Sequence, residues 1–108
     1  MSTTTHSKLT KEVNEAIKII GDDHTLCIIA NLRDRSLRFN EIQRAINNIN
    51  PTTLADRLKK LEQLGILNKQ RETVDKLSVV YELTEKGKGI LPIVDGIANF
   101  AEKYLASK

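Results

Sequence analysis

The chain has 108 residues, 40% of them hydrophobic, which is enough for one domain with one core and too few for two. Seventeen Lys and Arg against fourteen Asp and Glu leave a net charge of +3, which favours a polyanionic partner without demanding one. A single cysteine, Cys27, excludes an internal disulfide framework and a Cys-rich zinc site, and the absence of Trp with only two Phe and two Tyr leaves little material for stacking single-stranded bases.

Residues 1–7 are rich in Ser and Thr and are expected to be disordered, with residues 8–108 forming a single domain. Met1–His6 has no signal-peptide pattern and no apolar run approaches the ~20 residues of a membrane span, so a cytoplasmic location and no membrane partner are expected. Leu9, Val13, Ile17 and Ile20 make the apolar stripe of a first helix that stops at Gly21. Asp22 or Asp23 can cap a second helix, in which Leu26, Cys27, Ile28, Ile29, Ala30 and Leu32 are apolar almost all round. That composition predicts a buried central helix, with Cys27 packed as a small hydrophobe. His24 with the two aspartates reads as helix-start chemistry rather than a metal site, so no metal is expected. After a polar turn at residues 33–36, Leu37–Phe39 suggests a very short strand, Asn40–Ile46 a short helix, and Asn47–Asn50 a turn.

Asn50–Leu67 carries the densest local signals. Asn50 can cap free amides, and Pro51 suits a first helical position that needs no backbone donor. Leu54, Leu58 and Leu61 recur at i, i+4 and i+7, and Gly65 supplies a left-handed stop. At 100° per residue the opposite face carries Thr52, Thr53, Asp56, Lys60 and Gln63, with Arg57 and Lys59 on its shoulders. Preceded by a short helix and a turn, this reads as the second helix of a helix-turn-helix, the element that enters a DNA major groove. Short threonines permit close approach to base edges, and the flanking cations, with Arg38 and Arg44 from the preceding segment, suit phosphates. Asp56 either accepts from a cytosine amino group or orients Arg57 or Lys60 through a local ion pair.

Residues 66–73 and 77–83 then read as two strands joined through Val74-Asp75-Lys76, a hairpin whose tip offers Arg71 and Lys76 to flanking phosphate or minor groove. Thr84 can cap a last helix whose stripe, Ile90, Ile93, Val94, Ile97, Ala98, Ala101, Tyr104 and Leu105, runs almost its full length. The fold class expected is mainly α with a small β-hairpin wing, a winged helix-turn-helix in the order ααβααββα. The terminal helices hold more apolar surface than one small domain covers. Leu9, Val13 and Ile17 with Ile93, Ile97, Phe100 and Tyr104 are therefore candidates for a homodimer interface, which would set two recognition helices on one side of a palindromic operator. A cleft between such helices can hold a small effector whose chemistry the sequence does not identify. There is no Gly-rich phosphate loop, no nucleophile elbow and no paired His/Cys arrangement, so neither an enzyme nor a cofactor is expected. The alternative is a winged helix used as a protein-interaction module, although such a face more often exposes aromatic or aliphatic anchors.

From about Gly21 to Leu105 the chain resembles the HxlR-type winged-helix transcriptional regulators, relatives of the MarR type. The resemblance rests on Arg38-Phe39-Asn40-Glu41-Ile42, on Thr53-Leu54-Ala55-Asp56-Arg57-Leu58-Lys59-Lys60-Leu61-Glu62, on Gly65-Ile66-Leu67, and on Tyr81-Glu82-Leu83-Thr84 with Gly87 and Leu91-Pro92. It implies a small homodimer that binds operator DNA, with dimer contacts made by the terminal helices. Two features depart from that group. No cysteine precedes Cys27, where the group usually has a Cys-Pro near the start of the domain, so a thiol switch of that kind is not expected. Asp22-Asp23-His24-Thr25 also stands where the group commonly has Gly-Lys-Trp-Thr.

Overall fold

The computed structural model describes residues 10–71 and 79–106, which form six helices and three strands. The helices are α1 (Lys11–Ile20), α2 (Asp23–Asn31), α3 (Phe39–Ala45), α4 (Pro51–Gln63), α5 (Glu85–Lys88) and α6 (Leu91–Tyr104). The strands are β1 (Leu37–Arg38), β2 (Leu67–Arg71) and β3 (Val79–Leu83), in one antiparallel sheet of order β1-β3-β2. Leu37 pairs with Tyr81 and Leu67 with Leu83, so β3 lies between the entry to α3 and the exit from α4. The expected disordered terminus, Leu9 and the hairpin tip with Lys76 lie outside the described residues.

Side chains at the helix starts explain where each helix begins. Thr10 Oγ1 accepts from Val13 N at 3.1 Å, and Asp22 Oδ2 accepts from Thr25 N at 2.9 Å. Glu41 Oε1 reaches back to Arg38 N at 2.8 Å, fixing the first turn of α3 where β1 ends. Asn47 and Asn48 both adopt left-handed backbone, φ 53° and 56°, a conformation asparagine tolerates better than most residues. Gln43 Nε2 donates to Ile49 O at 2.9 Å and closes that turn.

The core sits where α2, α3 and α4 meet the sheet. Ile28 and Ile29 of α2 and Leu32 at its C-terminal cap pack with Ile42, with Leu54, Leu58 and Leu61, and with Leu67, all essentially without solvent contact. This is the leucine stripe of α4 facing inward as its spacing dictates, and each of these side chains stabilises the fold by roughly 2–5 kcal/mol relative to alanine. Helices α1 and α6 are different. Neither contains a buried residue, and each makes its main contact with α2.

Two expectations need correction. Cys27 is exposed rather than packed in the core, because the core uses the Ile28, Ile29 and Leu32 side of α2. Cys27 instead faces a shallow apolar groove bordered by Leu26, Ala30, Val94 and Ile97. The terminal segment is also two helices, not one. Thr84 caps only α5, accepting from Gly87 N at 3.0 Å, and the chain bends at Gly89 before α6. Pro92 has no amide to donate across that junction, so the helix cannot continue unbroken through it.

Candidate nucleic-acid interface

Local chemistry holds α4 rigidly at both ends. Asn50 Oδ1 accepts from Thr52 N at 2.8 Å and from Thr53 N at 3.2 Å, and Pro51 occupies the first turn. At the other end Gly65, at φ 77°, donates to Glu62 O at 3.0 Å while Ile66 N donates to Leu61 O at 2.9 Å. That pair of bonds is the Schellman stop. Lys86 Nζ then donates to Leu64 O at 2.7 Å and Thr84 Oγ1 to Gly65 O at 2.6 Å, so α5 and its cap satisfy the carbonyls left over where α4 ends.

With its leucines buried, α4 turns Pro51, Thr52, Ala55, Asp56, Lys59, Lys60 and Gln63 to solvent, with Thr53 half-buried beside them. No aromatic and no large aliphatic side chain lies on that face. Thr52, Thr53, Asp56, Lys59, Lys60 and Asn50 therefore stand together along one side of a single capped helix. Arg38 is exposed at the junction of β1 and α3, and Arg71 is exposed at the end of β2, opposite Val79.

Arg57 departs from this arrangement. Its side chain is 30% exposed and turns away from the open face, with Nε 3.0 Å from Asp22 Oδ2 and Nη2 3.3 Å from Asp22 Oδ1. A third contact runs from Nη1 to Asp56 Oδ2 at 3.2 Å, the local ion pair that was one of the two readings open for Asp56. Asp22 thus serves two elements. Its Oδ2 caps α2 through Thr25 N and also accepts from Thr25 Oγ1 at 3.0 Å, while the same carboxylate holds Arg57. The Arg57 guanidinium and the two Thr25 donors hold the Asp22 carboxyl down at about 2 against burial, which acts in the opposite direction. The sequence offered Asp22 or Asp23 as the cap, of which Asp22 takes the role, and it gave no sign of the contact with Arg57, because the two partners lie 35 positions apart in the chain.

Asp22, Asp23 and His24 bring three ligand-type side chains within 4.8 Å of one another. The Asp22 oxygens are engaged by Arg57 and Thr25, and Asp23 Oδ1 accepts from His24 N at 2.9 Å, which is the arrangement of a helix start.

The second exposed feature is apolar. Val13 and Ile17 on α1, with Ile93, Ile97, Phe100 and Tyr104 on α6 and Leu105 just beyond it, all stand in solvent, Phe100 at 57% and Tyr104 at 64% exposure. Phe100 and Tyr104 contact one another with ring centroids 5.2 Å apart. Isolated exposed apolar residues need no explanation, but six on two helices, with Leu105 beside them, make an apolar face of the kind that marks an interaction surface. Among the described residues no helix is long and apolar enough to cross a membrane.

Comparison with known proteins agrees with this geometry. Residues 19–108 match the HxlR-like helix-turn-helix family. An uncharacterised HTH-type transcriptional regulator of Methanothermobacter thermautotrophicus is 35% identical over 92 residues, covering 85% of this chain and 70% of that one. A MarR-family transcriptional regulator from Porphyromonas gingivalis W83 has a similar structure, with a TM-score of 0.81 at 33% identity over 91% of this chain and 96% of that one. The reduced form of the transcriptional regulator YodB from B. subtilis is also similar, with a TM-score of 0.77 at 30% identity over 91% and 96% of the two chains. Given a capped helix-turn-helix with a strand pair behind it and a match over 90 of its 108 residues (19 to 108 inclusive), this chain belongs to the HxlR-like helix-turn-helix family and is a DNA-binding transcriptional regulator.

Proposed function

We propose that the protein acts in the cytoplasm as a homodimer that binds a palindromic or pseudo-palindromic operator, with α4 in the major groove and the β2–β3 wing on the flanking backbone or minor groove. The observation that carries this reading is the exposed face of α4, polar and basic from Thr52 to Gln63 and anchored at both ends by hydrogen bonds. Thr52, Thr53 and Asp56 are the candidates for base edges, and Lys59, Lys60, Arg38, Arg71 and Lys76 for phosphates. Asn50 acts by capping α4. Arg57 acts from behind the face, held by Asp22.

The dimer reading is supported by the exposed apolar faces of α1 and α6. A two-fold axis through them would separate the recognition helices by about one DNA turn, roughly 34–36 Å, or a multiple of it. The face of α4 lacks the aromatic or aliphatic anchors that a protein-docking surface uses, which favours DNA over a protein partner there.

The test is selection of an operator from randomised duplex DNA by gel shift, followed by measurement of variants. Lys60→Ala and Lys59→Ala should each weaken operator binding, by about 1–3 kcal/mol for a base contact or nearly uniformly across sequences for a phosphate contact. Equal operator affinity of the wild type and a Thr53→Ala, Lys59→Ala, Lys60→Ala triple variant would remove α4 as the reading element.

A further inference from the structure

Between the last turn of α1, the head of α2 and the flank of α4 lies a cavity of about 250 Å³ with a polar, mainly cationic lining. Lys18 comes from α1, Asp22 from the α2 cap, and Arg57 and Lys60 from α4, with Ile19 and Leu61 as apolar walls. Three cations and one carboxylate therefore line one opening, and Asp56, 3.2 Å from the Arg57 guanidinium, brings a second carboxylate beside it, so cations outnumber carboxylates by three to two. The carboxylate is already satisfied, since both of its oxygens are held by Arg57 and one also by Thr25. The guanidinium is only partly satisfied: three of the five N–H donors that arginine carries go to Asp22 and Asp56. Among the described residues neither Lys18 nor Lys60 lies within ion-pairing distance of a carboxylate. A recess with excess positive charge, a guanidinium anchored by Asp22 and two exposed ammonium groups that pair with no described carboxylate matches the chemistry of a tetrahedral oxyanion.

We propose that Lys18, Arg57 and Lys60 form an oxyanion site that takes a phosphate group in the cleft between α1 and α4. The phosphate has two sources of the same chemistry, a backbone phosphate of bound duplex or a small free phosphate-bearing ligand. The first rests on the DNA-binding reading above and adds Lys18, a residue of the first helix, to the contacts. The second stands without it. In either case the anion binds beside the Arg57–Asp22 contact and so against the flank of the recognition helix.

The experiment has two arms on the full chain. In the first, inorganic phosphate is titrated at constant ionic strength against chloride while backbone amide NMR shifts are followed. Saturable shifts clustered at Lys18, Thr25, Arg57 and Leu61, abolished in Lys18→Gln, are expected. Shifts that do not saturate, or that persist unchanged in a folded Lys18→Gln, overturn the site. Lys18 is exposed on α1, so the variant should fold, and its circular dichroism establishes that directly.

In the second arm the salt dependence of operator affinity is compared for wild type and Lys18→Gln. A slope reduced by about one per protomer assigns the site to the DNA backbone. With phosphate saturation established, an unchanged slope assigns it to a free ligand. Wild-type protein that selects no duplex at all, while phosphate still saturates, sinks the DNA-binding reading and leaves the oxyanion site standing.

Discussion

Arg57, midway along the recognition helix, holds Asp22 at the head of the central helix, Nε to Oδ2 at 3.0 Å and Nη2 to Oδ1 at 3.3 Å. The contact is two-pronged and joins elements far apart in the chain, so it fixes the angle at which α4 leaves the body of the domain.

Neutralising Asp22 should therefore destabilise the fold measurably. The depression of its carboxyl from 3.8 to about 2 sets an upper bound of roughly 2.5 kcal/mol. Solvent reduces this, because the Arg57 and Asp22 side chains keep 30% and 29% of their surface exposed. Asp22→Asn, which keeps the capping oxygen, should cost about 1 kcal/mol in urea unfolding, and Asp22→Ala about 1 kcal/mol more through the lost cap. Since the folded carboxyl is the more acidic, this stabilisation is complete above pH 3.8 and disappears as the pH falls through about 2. A wild-type advantage over Asp22→Asn that is unchanged between pH 7 and pH 2 would show that the ion pair is not its source.

Gly87 is buried, and a Cβ there would lie 2.3 Å from Ile66 O and 3.1 Å from Leu83 Cδ2. The first of these is a backbone carbonyl that already accepts from Thr84 N at 3.0 Å, so it cannot retreat without loosening the exit of α4. Gly87→Ala should cost about 1–3 kcal/mol. Thermal unfolding reads the loss, and a melting temperature equal to wild type would mean that α5 shifts freely.

A charge on the apolar face of α6 should prevent association. Phe100→Asp is expected to sediment as a monomer at micromolar concentration and to lose most operator affinity, because one protomer makes half the contacts. Phe100 is exposed in the single chain, so the variant should keep the wild-type circular dichroism spectrum. A wild type that is itself a single monomeric species would remove the dimer.

Cys27 should behave as a surface thiol. Because it is exposed, Cys27→Ser should change stability by no more than about 0.5 kcal/mol. In the Phe100→Asp variant the thiol should react with Ellman's reagent at close to the rate of the urea-unfolded chain. Strong protection there would mean that α6 covers Cys27 within one protomer.

Sequence alone revealed what depends on near neighbours. Asn50, Pro51, the leucine triplet and Gly65 specify α4 almost to the residue, because caps and stops act across three or four positions. The same kind of reasoning failed at α2 and at the terminal segment. An all-round apolar helix reads as buried on every side, yet the side of α2 carrying Cys27 is left open by α6. The apolar stripe from Ile90 onward lies wholly beyond Gly89 and so carries no sign of a separate α5, and Gly87 with Gly89 was the available signal that α5 ends early. The Arg57–Asp22 contact had no local signature, since helical periodicity places Arg57 on a shoulder without revealing which distant carboxylate waits there.

The hydrogen bonds from Lys86 to Leu64 O and from Thr84 to Gly65 O make the exit of the recognition helix and the entrance to the terminal helical pair a single joint. Beyond that joint lies α6, the larger part of the apolar face proposed for a second copy, and before it lies α4, whose exposed face is proposed for DNA. In a dimer the tilt of one helix is thus geared to the tilt of the other. A lever of this kind converts a small rotation at the two-fold axis into a change in the distance between the two reading heads, the dimension to which an operator with fixed half-site spacing is sensitive.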